Sequence, residues 1–534
     1  MKDRQDLTVV TTDSFDTASL SSGYDSPISP LENGDKPNLE HLARQRPAVF
    51  RTTLLETSFV TAVVLSLMMS EYFTSGFNII LPSLAQSIDL PEDARTWPTA
   101  VPNLAAAALL LPFARLCNII GARRVFIIGH AWLLSWSVVS GFATDHIILI
   151  VCRAMQGVGF AAFLPAGMSL LGQVYRPGPR KNLIYSIYGA FACLGFYFGI
   201  VVAALTTEYI SWKWYFWTGA IFEFATIVFG LLAIPRNLQD QQASAHMDWL
   251  GLTTIVPCLA LLIFAFTEGS QAPQGWATPY VLVTLILGIV FLAAAVYSQG
   301  WASSQPLVPN VIFRIRYMKR LLASMTCFFG VCALFLLYTS LYIQDVLKVS
   351  PILAAAWYAP MLAGSIILAV MGSMILHLLA SEILLFLAGT AFLFSVLLFA
   401  IIPATYQSAT PVAYWAYIFP AMCCGTLGID LAFNVMNIFI TTAMPKRDQA
   451  AVGALTNTLI YLGSSFWLSI SELVVSTARN WKADHFPLVD QYKTSFWLGV
   501  GLTGFAMCLA ITLRMGTASA DLTSDEKETL VEID

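Results

Sequence analysis

Four carboxylic acids lie within long apolar stretches of the sequence, where an ionised side chain is costly: Glu71, Glu223, Asp430 and Glu472. Burial raises the pKa of a carboxylic acid toward neutral values, so that such a group can gain and lose a proton near physiological pH. This chemistry suits a carrier that couples the movement of a solute to the movement of protons. His130 and His377 are weaker candidates for the same task.

Asp430 is the first candidate because two amides follow it at helical spacing, Asn434 after four residues and Asn437 after seven. A helix places these three polar groups near one face, as the lining of a polar cavity requires. Glu71 ranks second, and Glu223 and Glu472 follow. The alternative for each acid is an ion pair with a basic residue, or a hydrogen bond that only supports packing.

Arg153 also lies several residues inside an apolar stretch. A guanidinium at this depth normally faces the interior of a helix bundle or a wet cavity. The alternative is a side chain that extends along the helix to the membrane surface. Gln156 can hydrogen-bond the guanidinium, and Gly157 and Gly159 permit close helix contact. We therefore expect the loss of Arg153 to impair function more than the loss of Arg95, which lies in a loop.

The elements that carry these residues are apolar segments, each long enough to cross about 30 Å of hydrocarbon as a helix. The chain is 57% hydrophobic and 11% charged, whereas soluble domains carry about 25% charged residues. We predict an all-α polytopic membrane protein with fourteen spans: 58–82, 97–117, 125–143, 146–173, 183–206, 214–235, 248–268, 279–299, 320–344, 351–377, 382–403, 411–442, 450–476 and 495–514.

The distribution of cations predicts the orientation. With the N-terminus in the cytosol, the cytosolic loops carry thirteen Arg and Lys residues: Arg115, Arg123, Arg124, Arg176, Arg180, Lys181, Arg236, Arg314, Arg316, Lys319, Arg320, Lys446 and Arg447. The outer loops then carry only Arg95, Lys213, Lys348, Arg479, Lys482 and Lys493. This is the positive-inside pattern of membrane proteins. An even number of spans places both termini in the cytosol.

A polar stretch that ends in several cations divides the spans into six, two and six. Two six-helix halves related by an axis normal to the membrane, with an inserted helix pair, would give this 6+2+6 order. The predicted parts are a disordered cytosolic tail (1–50), an N-terminal half (51–236), two inserted helices (237–300), a cytosolic linker (301–320), a C-terminal half (321–515) and a cytosolic tail (516–534).

Several functional classes lack their usual sequence features. We find no cluster of His with carboxylates, no phosphate-binding loop, no paired cysteine spacing and no basic field. We therefore expect no enzymatic activity, no cofactor, no metal and no nucleic-acid partner. The expected partners are the lipid bilayer, protons and a small-molecule substrate, and the chain is expected to act as a monomer. A channel remains an alternative that a lack of proton dependence would reveal.

The loop between predicted spans two and three reads ARLCNIIGARRVF over 114–126. It resembles the G-x-L-A-D-R-x-G-R-R signature of the major facilitator superfamily at the same loop. Gly121, Arg123 and Arg124 match this signature, whereas Asn118 replaces its Asp. The resemblance implies a glycine that lets two helix ends approach and arginines that hold a cytosolic gate. The missing Asp weakens any Asp–Arg contact in that gate.

Two further segments resemble motifs of the same superfamily. Span four reads RAMQGVGFAA over 153–162, which is similar to the R-x-x-Q-G-x-G-A-A motif. Span five has Gly189, Gly195 and Gly199 at the place of a Gly/Pro-rich motif of exporters, although Phe196 replaces the Pro. A Trp-rich segment follows it over 208–217.

Together these motifs and the span count resemble the fourteen-span drug/proton antiporter family, in its fungal branch, over about residues 55–515. The resemblance implies the major facilitator fold and proton-driven export of drugs, toxins or secondary metabolites. It implies a plasma-membrane location, with the vacuolar membrane as the alternative. A neighbouring fungal branch is associated with ammonium or borate, so a small-solute carrier or an importer is the alternative function. The family often has an Asp in span one where this chain has Phe73, and Glu71 lies two residues earlier.

Overall fold

The computed structural model describes residues 46–513 with gaps at 48, 92–93, 176–178, 237–245, 270–271, 273, 304–305, 308–311, 313–314, 316, 376–378, 404, 407, 409, 443–448 and 483–485. For some helical residues the structure describes the backbone but not the side chain: 179, 182, 186, 369–375, 437–442, 449–453 and 480. The predicted tail 516–534, residues 1–45 of the predicted tail 1–50, and His377 therefore lie outside the described residues.

The described part of the chain is a bundle of α-helices. In chain order the helices are α1 (Thr53–Ser87), α2 (Trp97–Ile120), α3 (Ala122–Ser140), α4 (His146–Val174), α5 (Pro179–Tyr209), α6 (Lys213–Ala233), α7 (Trp249–Glu268), α8 (Pro279–Tyr297), α9 (Met318–Leu341), α10 (Pro351–Trp357), α11 (Ala359–Ile375), α12 (Ser381–Ala400), α13 (Phe419–Thr442), α14 (Gln449–Lys482) and α15 (Leu488–Ile511). Turns of π-helix extend α8 over Ser298–Ala302 and α9 over Tyr342–Val346, and another precedes α13 over Tyr414–Ile418.

Among the described residues, thirteen helical segments are long and apolar enough to cross a membrane, with α10 and the first part of α11 counted as one. The prediction of an all-α polytopic membrane protein is confirmed. Helix α3 is not among the thirteen, and its first turn contains Arg123 and Arg124. The fourteenth span and the cytosolic placement of both termini stay predictions.

Several predicted boundaries differ from the structure because residues that the sequence placed in loops or tails are packed against the bundle. Helix α15 begins at Leu488, seven residues before the predicted start, and its first turns bury Gln491 and Tyr492. Phe50, placed by the sequence in the N-terminal tail, is buried against the ring of Phe59 at 5.3 Å between centroids. The predicted linker 301–320 includes the start of α9 and buries Ile312 in the core.

The two predicted halves repeat the same helix pairings. In the first half α1 packs on α5 and α6, α4 packs on α2 and α3, and α3 packs on α6. In the second half α9 packs on α14 and α15, α13 packs on α11 and α12, and α12 packs on α15. Each pairing in the first half has a counterpart in the second half if α10 and α11 together count as one span. Helices α1 to α6 then correspond in order to α9, α10–α11, α12, α13, α14 and α15. This correspondence is the pattern of a parallel internal repeat.

The halves meet at two seams that the repeat also relates. Helix α2 packs along α14, and α5 packs against α10 and α11. Helices α7 and α8, which the sequence predicts to be an inserted pair, lie over the first seam, since α7 contacts both α2 and α14. The indole nitrogen of Trp97 in α2 donates to the Glu268 carboxylate of α7 at 3.1 Å, and Phe266 of α7 packs on Phe466 of α14.

Glycines set the close contact between α1 and α5. A Cβ atom at Gly195 would lie 2.6 Å from the backbone oxygen of Met68, and one at Gly199 would lie 2.7 Å from that of Tyr72. Gly189 differs, because a Cβ atom there would meet nothing within 4 Å. Two of the three glycines of the span-five motif therefore bring the helix backbones together, and the third does not.

We predict opposite effects of one methyl group at two positions of α5. Gly195→Ala forces the α1 backbone away and should lower the stability of the solubilised protein by about 1–3 kcal/mol. Gly189→Ala should be neutral or slightly stabilising, because alanine is the better helix former. Thermal unfolding of both variants tests the contact, and equal melting temperatures would contradict it.

Candidate functional site

The two highest-ranked acids come from opposite halves and face the same region of the bundle. Glu71 lies in α1 and Asp430 lies in α13. Both carboxylates lie within electrostatic range of the same two thiols, Cys193 of α5 and Cys332 of α9. Neither carboxylate has an ion pair among the described residues, and both are only partly buried.

Asp430 is flanked by hydroxyl and amide groups. The hydroxyl of Ser365 in α11 lies beside both the Asp430 carboxylate and the Cys193 thiol. The Asn434 amide donates at 2.8 Å to the backbone oxygen of Asp430. This bond uses one Asn434 donor within its own helix, and the polar cavity face formed by Asp430, Asn434 and Asn437 stays a prediction. Asn437 lies in the same helix, with its side chain outside the described residues.

Phenol groups surround Glu71. Tyr188 of α5 and Tyr461 of α14 lie within its electrostatic range, and the Tyr461 hydroxyl lies beside Ser70. Tyr461 and the two thiols are part of this region but were missed in the sequence analysis. Their only sequence signal is that polar or polarisable side chains occur in otherwise apolar spans. We call Glu71, Asp430, Cys193, Cys332 and Tyr461 the central cluster.

Glu223 lies outside the central cluster in a buried pair with His130. The Nδ1 atom of His130 in α3 lies 2.6 Å from the Glu223 carboxylate in α6, and both side chains have no exposure. The imidazole is stacked on Phe163 at 4.2 Å between centroids. A buried acid with a buried basic partner can stay neutral as a pair, which is the packing alternative that the sequence left open.

Glu472 lies near the outer end of the bundle instead of its centre. Here inner and outer refer to the predicted orientation. Glu472 lines a small cavity of about 20 Å³, close to the volume of one water molecule, together with Arg95, Tyr338 and Arg479. Glu472 therefore lies at the outer contact between the halves.

Arg95 joins the two halves at this outer end. Its Nη1 atom lies 3.0 Å from the Asp345 carboxylate at the end of α9 and 3.3 Å from the Tyr492 hydroxyl of α15. The Tyr492 hydroxyl also donates to Asp345 at 2.9 Å. We call Arg95, Asp345 and Tyr492 the outer latch. These contacts give Arg95 a structural role that its loop position does not indicate, and the expectation that loss of Arg153 impairs function more than loss of Arg95 stays a prediction.

Two further contacts close the outer side above the central cluster. The Ser340 hydroxyl of α9 donates to the backbone oxygen of Asn78 in α1 at 2.7 Å. The Ser465 hydroxyl of α14 donates to the backbone oxygen of Ala100 in α2 at 3.1 Å. With the outer latch, these bonds hold the outer ends of the halves together in this structure.

Comparison with known proteins decides the family. A model described as Major Facilitator Superfamily matches residues 63–468. The chain belongs to the major facilitator superfamily. The Low affinity ammonium transporter of Saccharomyces cerevisiae is 30% identical over 79% of this chain and 81% of its own length. Efflux pump terJ of Aspergillus terreus is 26% identical over 85% and 87%, and the multidrug transporter mdr3 of Aspergillus fumigatus is 26% identical over 81% and 75%.

Solved structures show the same fold. An auto inhibited POT family peptide transporter aligns with a TM-score of 0.64 at 13% identity, over 87% of this chain and 99% of that one. The nucleoside transporter NupG (D323A mutant) aligns with a TM-score of 0.56 at 12% identity, over 86% and 99%. The major facilitator fold predicted from the sequence is confirmed, and the resemblance to fungal efflux pumps is supported by the relatives. The superfamily and these relatives are transporters and not enzymes.

The superfamily motif of span four connects four helices through buried contacts. Arg153 is 1% exposed. Its guanidinium donates to the backbone oxygen of Pro98 in α2 at 3.0 Å and lies 4.1 Å from the ring centre of Phe77 in α1. It also donates to the Gln156 amide oxygen at 2.8 Å, and the Gln156 nitrogen donates to Ser140 of α3 at 3.1 Å. This geometry does not fit a side chain that extends to the membrane surface.

The two glycines of this motif lie where α4 meets its neighbours. A Cβ atom at Gly157 would overlap the Pro102 backbone oxygen of α2, and one at Gly159 would lie 3.0 Å from the Cβ atom of Leu133 in α3. They keep α4 close to its neighbours, as the sequence analysis expected. Arg153 is thus held in place by packing on both sides of its own helix.

In the superfamily loop motif, the role of the glycine differs from the one expected from the sequence. Gly121 joins α2 to α3 with a φ of 95°, and a Cβ atom there would meet nothing within 4 Å. The glycine is therefore needed for its backbone conformation and not for close approach. Arg123 donates to the backbone oxygens of Ile234 at 3.0 Å and Leu231 at 3.3 Å, at the end of α6. A cation suits this end of a helix dipole.

The other two residues of the loop motif give less support to a cytosolic gate. Asn118 is partly buried in the last turn of α2, and Arg124 is exposed at the start of α3. The loop is therefore anchored within the first half by Arg123. A cytosolic gate made by these residues stays a prediction.

We predict that the outer latch controls opening to the outside. Arg95→Gln removes the ion pair between the halves and should increase the outward-open population. The readout is the reaction of an introduced Ser340→Cys with an impermeant maleimide added outside, measured by mass spectrometry of that peptide. Lys482→Gln, an exposed cation at the outer end of α14, is the matched control. Equal labelling in both variants would contradict the latch.

We predict that His130 and Glu223 stabilise the protein only as a pair. Removing one partner leaves the other buried and alone, which costs about 3–5 kcal/mol. His130→Leu and Glu223→Leu should each lower the melting temperature strongly, and the double variant should regain most of the loss. A double variant as unstable as the worse single variant would show that the pair does not act as a unit.

Proposed function

We propose that this protein is a proton-coupled exporter of small organic molecules. The observation that carries the proposal is the convergence of Glu71 and Asp430, one from each half, on the same pair of thiols. These are titratable groups within spans that have no ion pair among the described residues. A group that must exchange protons cannot be locked to a permanent counter-charge.

The chemistry of antiport follows from competition at these carboxylates. In apolar surroundings a carboxylic acid is stable in its neutral form. A cargo molecule that brings a cation or hydrogen-bond donors stabilises the charged form, so cargo binding favours release of the proton. Reprotonation from the outside then favours cargo release. Because Glu71 and Asp430 belong to different halves, their charge state also affects how the halves approach each other.

The relatives support the direction and the class of cargo. Proteins 26% identical to this chain are named efflux pumps and a multidrug transporter. The central cluster offers thiol and phenol groups and few fixed charges, which suits organic molecules of varied shape. We further propose a plasma-membrane location and action as a monomer, since both halves of the cluster belong to one chain.

A carrier of ammonium or a similar small solute is the second candidate. It is favoured by one specific observation, the 30% identity to a protein named Low affinity ammonium transporter. The two candidates differ in what expression of the protein should change. An exporter lowers the cellular accumulation of toxic organic compounds, whereas an ammonium carrier alters growth when ammonium is scarce.

We predict that neutralising either central carboxylate uncouples transport. Asp430→Asn and Glu71→Gln should reduce gradient-driven efflux at least tenfold, because the proton-carrying group is gone, while protein abundance stays unchanged. The measurement is efflux of a fluorescent or radiolabelled compound from cells preloaded with it. Glu208→Gln, an exposed acid at the outer end of α5, is the matched control and should transport normally.

A protonophore separates the mechanisms. It should slow efflux by the wild-type protein to the level of the Asp430→Asn variant and leave that variant unchanged. Full efflux by a protein carrying both central substitutions would remove the coupling assignment. If expression of the protein changes the efflux of no tested compound but alters ammonium uptake, the second candidate is favoured.

A further inference from the structure

A groove lies between α1 and α5 at their inner ends. The two helices touch at Gly195 and Gly199, and the groove lies on the inner side of that contact. The groove has a volume of about 510 Å³, which is within the range of ligand sites. It is lined by the first turns of both helices and lies on the inner side of Glu71 and Cys193, which follow Val60 and Ile187 along the same two helices.

The groove has an aliphatic wall and a polar rim. Val60 of α1 with Leu183 and Ile187 of α5 form the wall, and the hydroxyl groups of Thr53 and Thr57 lie on the rim. Leu183 is 60% exposed. An exposed aliphatic wall directly beside polar groups is the surface that an amphiphilic molecule fits.

A fixed guanidinium stands at the edge of the groove. Arg180 donates to the Glu56 carboxylate through Nε at 2.9 Å and through Nη2 at 2.6 Å. The Tyr175 hydroxyl donates to the same carboxylate at 3.1 Å. Glu56 is buried and therefore acts as an anchor, while part of the Arg180 side chain faces outward. The guanidinium is pre-positioned at low conformational cost.

Further positive charge surrounds the rim. Arg46 donates to the Thr53 hydroxyl and to the backbone oxygen of Arg51, so both arginines lie where α1 begins. Helices α1 and α5 both start at this end, and helix N-termini attract anions. The only acid among the residues lining the groove is Glu56, which is paired with Arg180.

We propose that this groove binds an anionic phospholipid of the cytosolic leaflet. The phosphate would lie among Arg46, Arg51 and Arg180, and an acyl chain would follow Val60, Leu183 and Ile187. The occupant follows from charge and depth. The groove combines cations with aliphatic walls at the end of two spans, on the side that the cation distribution makes cytosolic. Basic pockets between helices at this side are suited to anionic headgroups.

The test measures lipid occupancy of the full chain, so it does not depend on transport. The purified protein is titrated with phosphatidylserine or phosphatidylcholine, and bound lipid is counted by native mass spectrometry. Phosphatidylserine should bind preferentially. Each cation near an anionic surface strengthens binding about fivefold, so Arg46→Gln with Arg51→Gln should weaken binding by about tenfold or more. The melting temperature in phosphatidylcholine should stay unchanged.

Lys319→Gln with Arg320→Gln is the matched control. It removes two exposed cations from the start of α9, the counterpart of α1 in the repeat, and should leave occupancy unchanged. Equal weakening by both double variants would show diffuse attraction and overturn the site. Equal binding of the two lipids would overturn it as well.

A second arm distinguishes a lipid from a soluble anion. Glycerophosphoserine, which carries the headgroup without acyl chains, should not displace bound phosphatidylserine at equal concentration. Leu183→Gln with Ile187→Gln should weaken lipid binding with all cations in place. Full displacement by glycerophosphoserine, or unchanged binding in the wall variant, would overturn the lipid assignment in favour of a soluble-anion site.

Discussion

The structure depends on one constraint, which is that a charged side chain inside the hydrocarbon region needs a partner. Arg153 meets it with a backbone oxygen, the Gln156 amide and the ring of Phe77. Glu223 meets it with His130. Glu71 and Asp430 lack such an ion pair among the described residues, and both belong to the region where the two halves face each other. We therefore assign the proposed proton exchange to the acids that lack a permanent counter-charge.

Contacts within the halves differ in kind from contacts between them. Within the first half, backbones approach at Gly157, Gly195 and Gly199, where an added methyl group would overlap neighbouring backbone atoms. Between the halves at the outer end, the structure uses an ion pair and single hydroxyl groups that donate to backbone oxygens. Packed backbone contacts resist separation, whereas isolated polar bonds can exchange with water. This difference favours two rigid bodies that separate at their outer ends.

Much of the fold could be predicted from the sequence because membrane spans have a length and composition that few other elements share. The order of helices and the close helix contact at Gly157 followed from apolar runs and small residues. The partners of charged groups could not be predicted. Nothing near Arg95 in the sequence indicates Asp345, 250 residues away, and the pairing of Glu223 with His130 depends on which helix faces which. Tyr461 was missed because an isolated tyrosine in a span resembles any packed aromatic residue.

The most direct test of the central claim is proton release by the purified protein when cargo binds. A pH-indicator dye in weakly buffered solution would report protons released on addition of a compound that cells expressing the protein export. The account predicts release by the wild-type protein and none by a variant with both Glu71→Gln and Asp430→Asn that still binds the compound. Equal proton release by that variant would contradict the account.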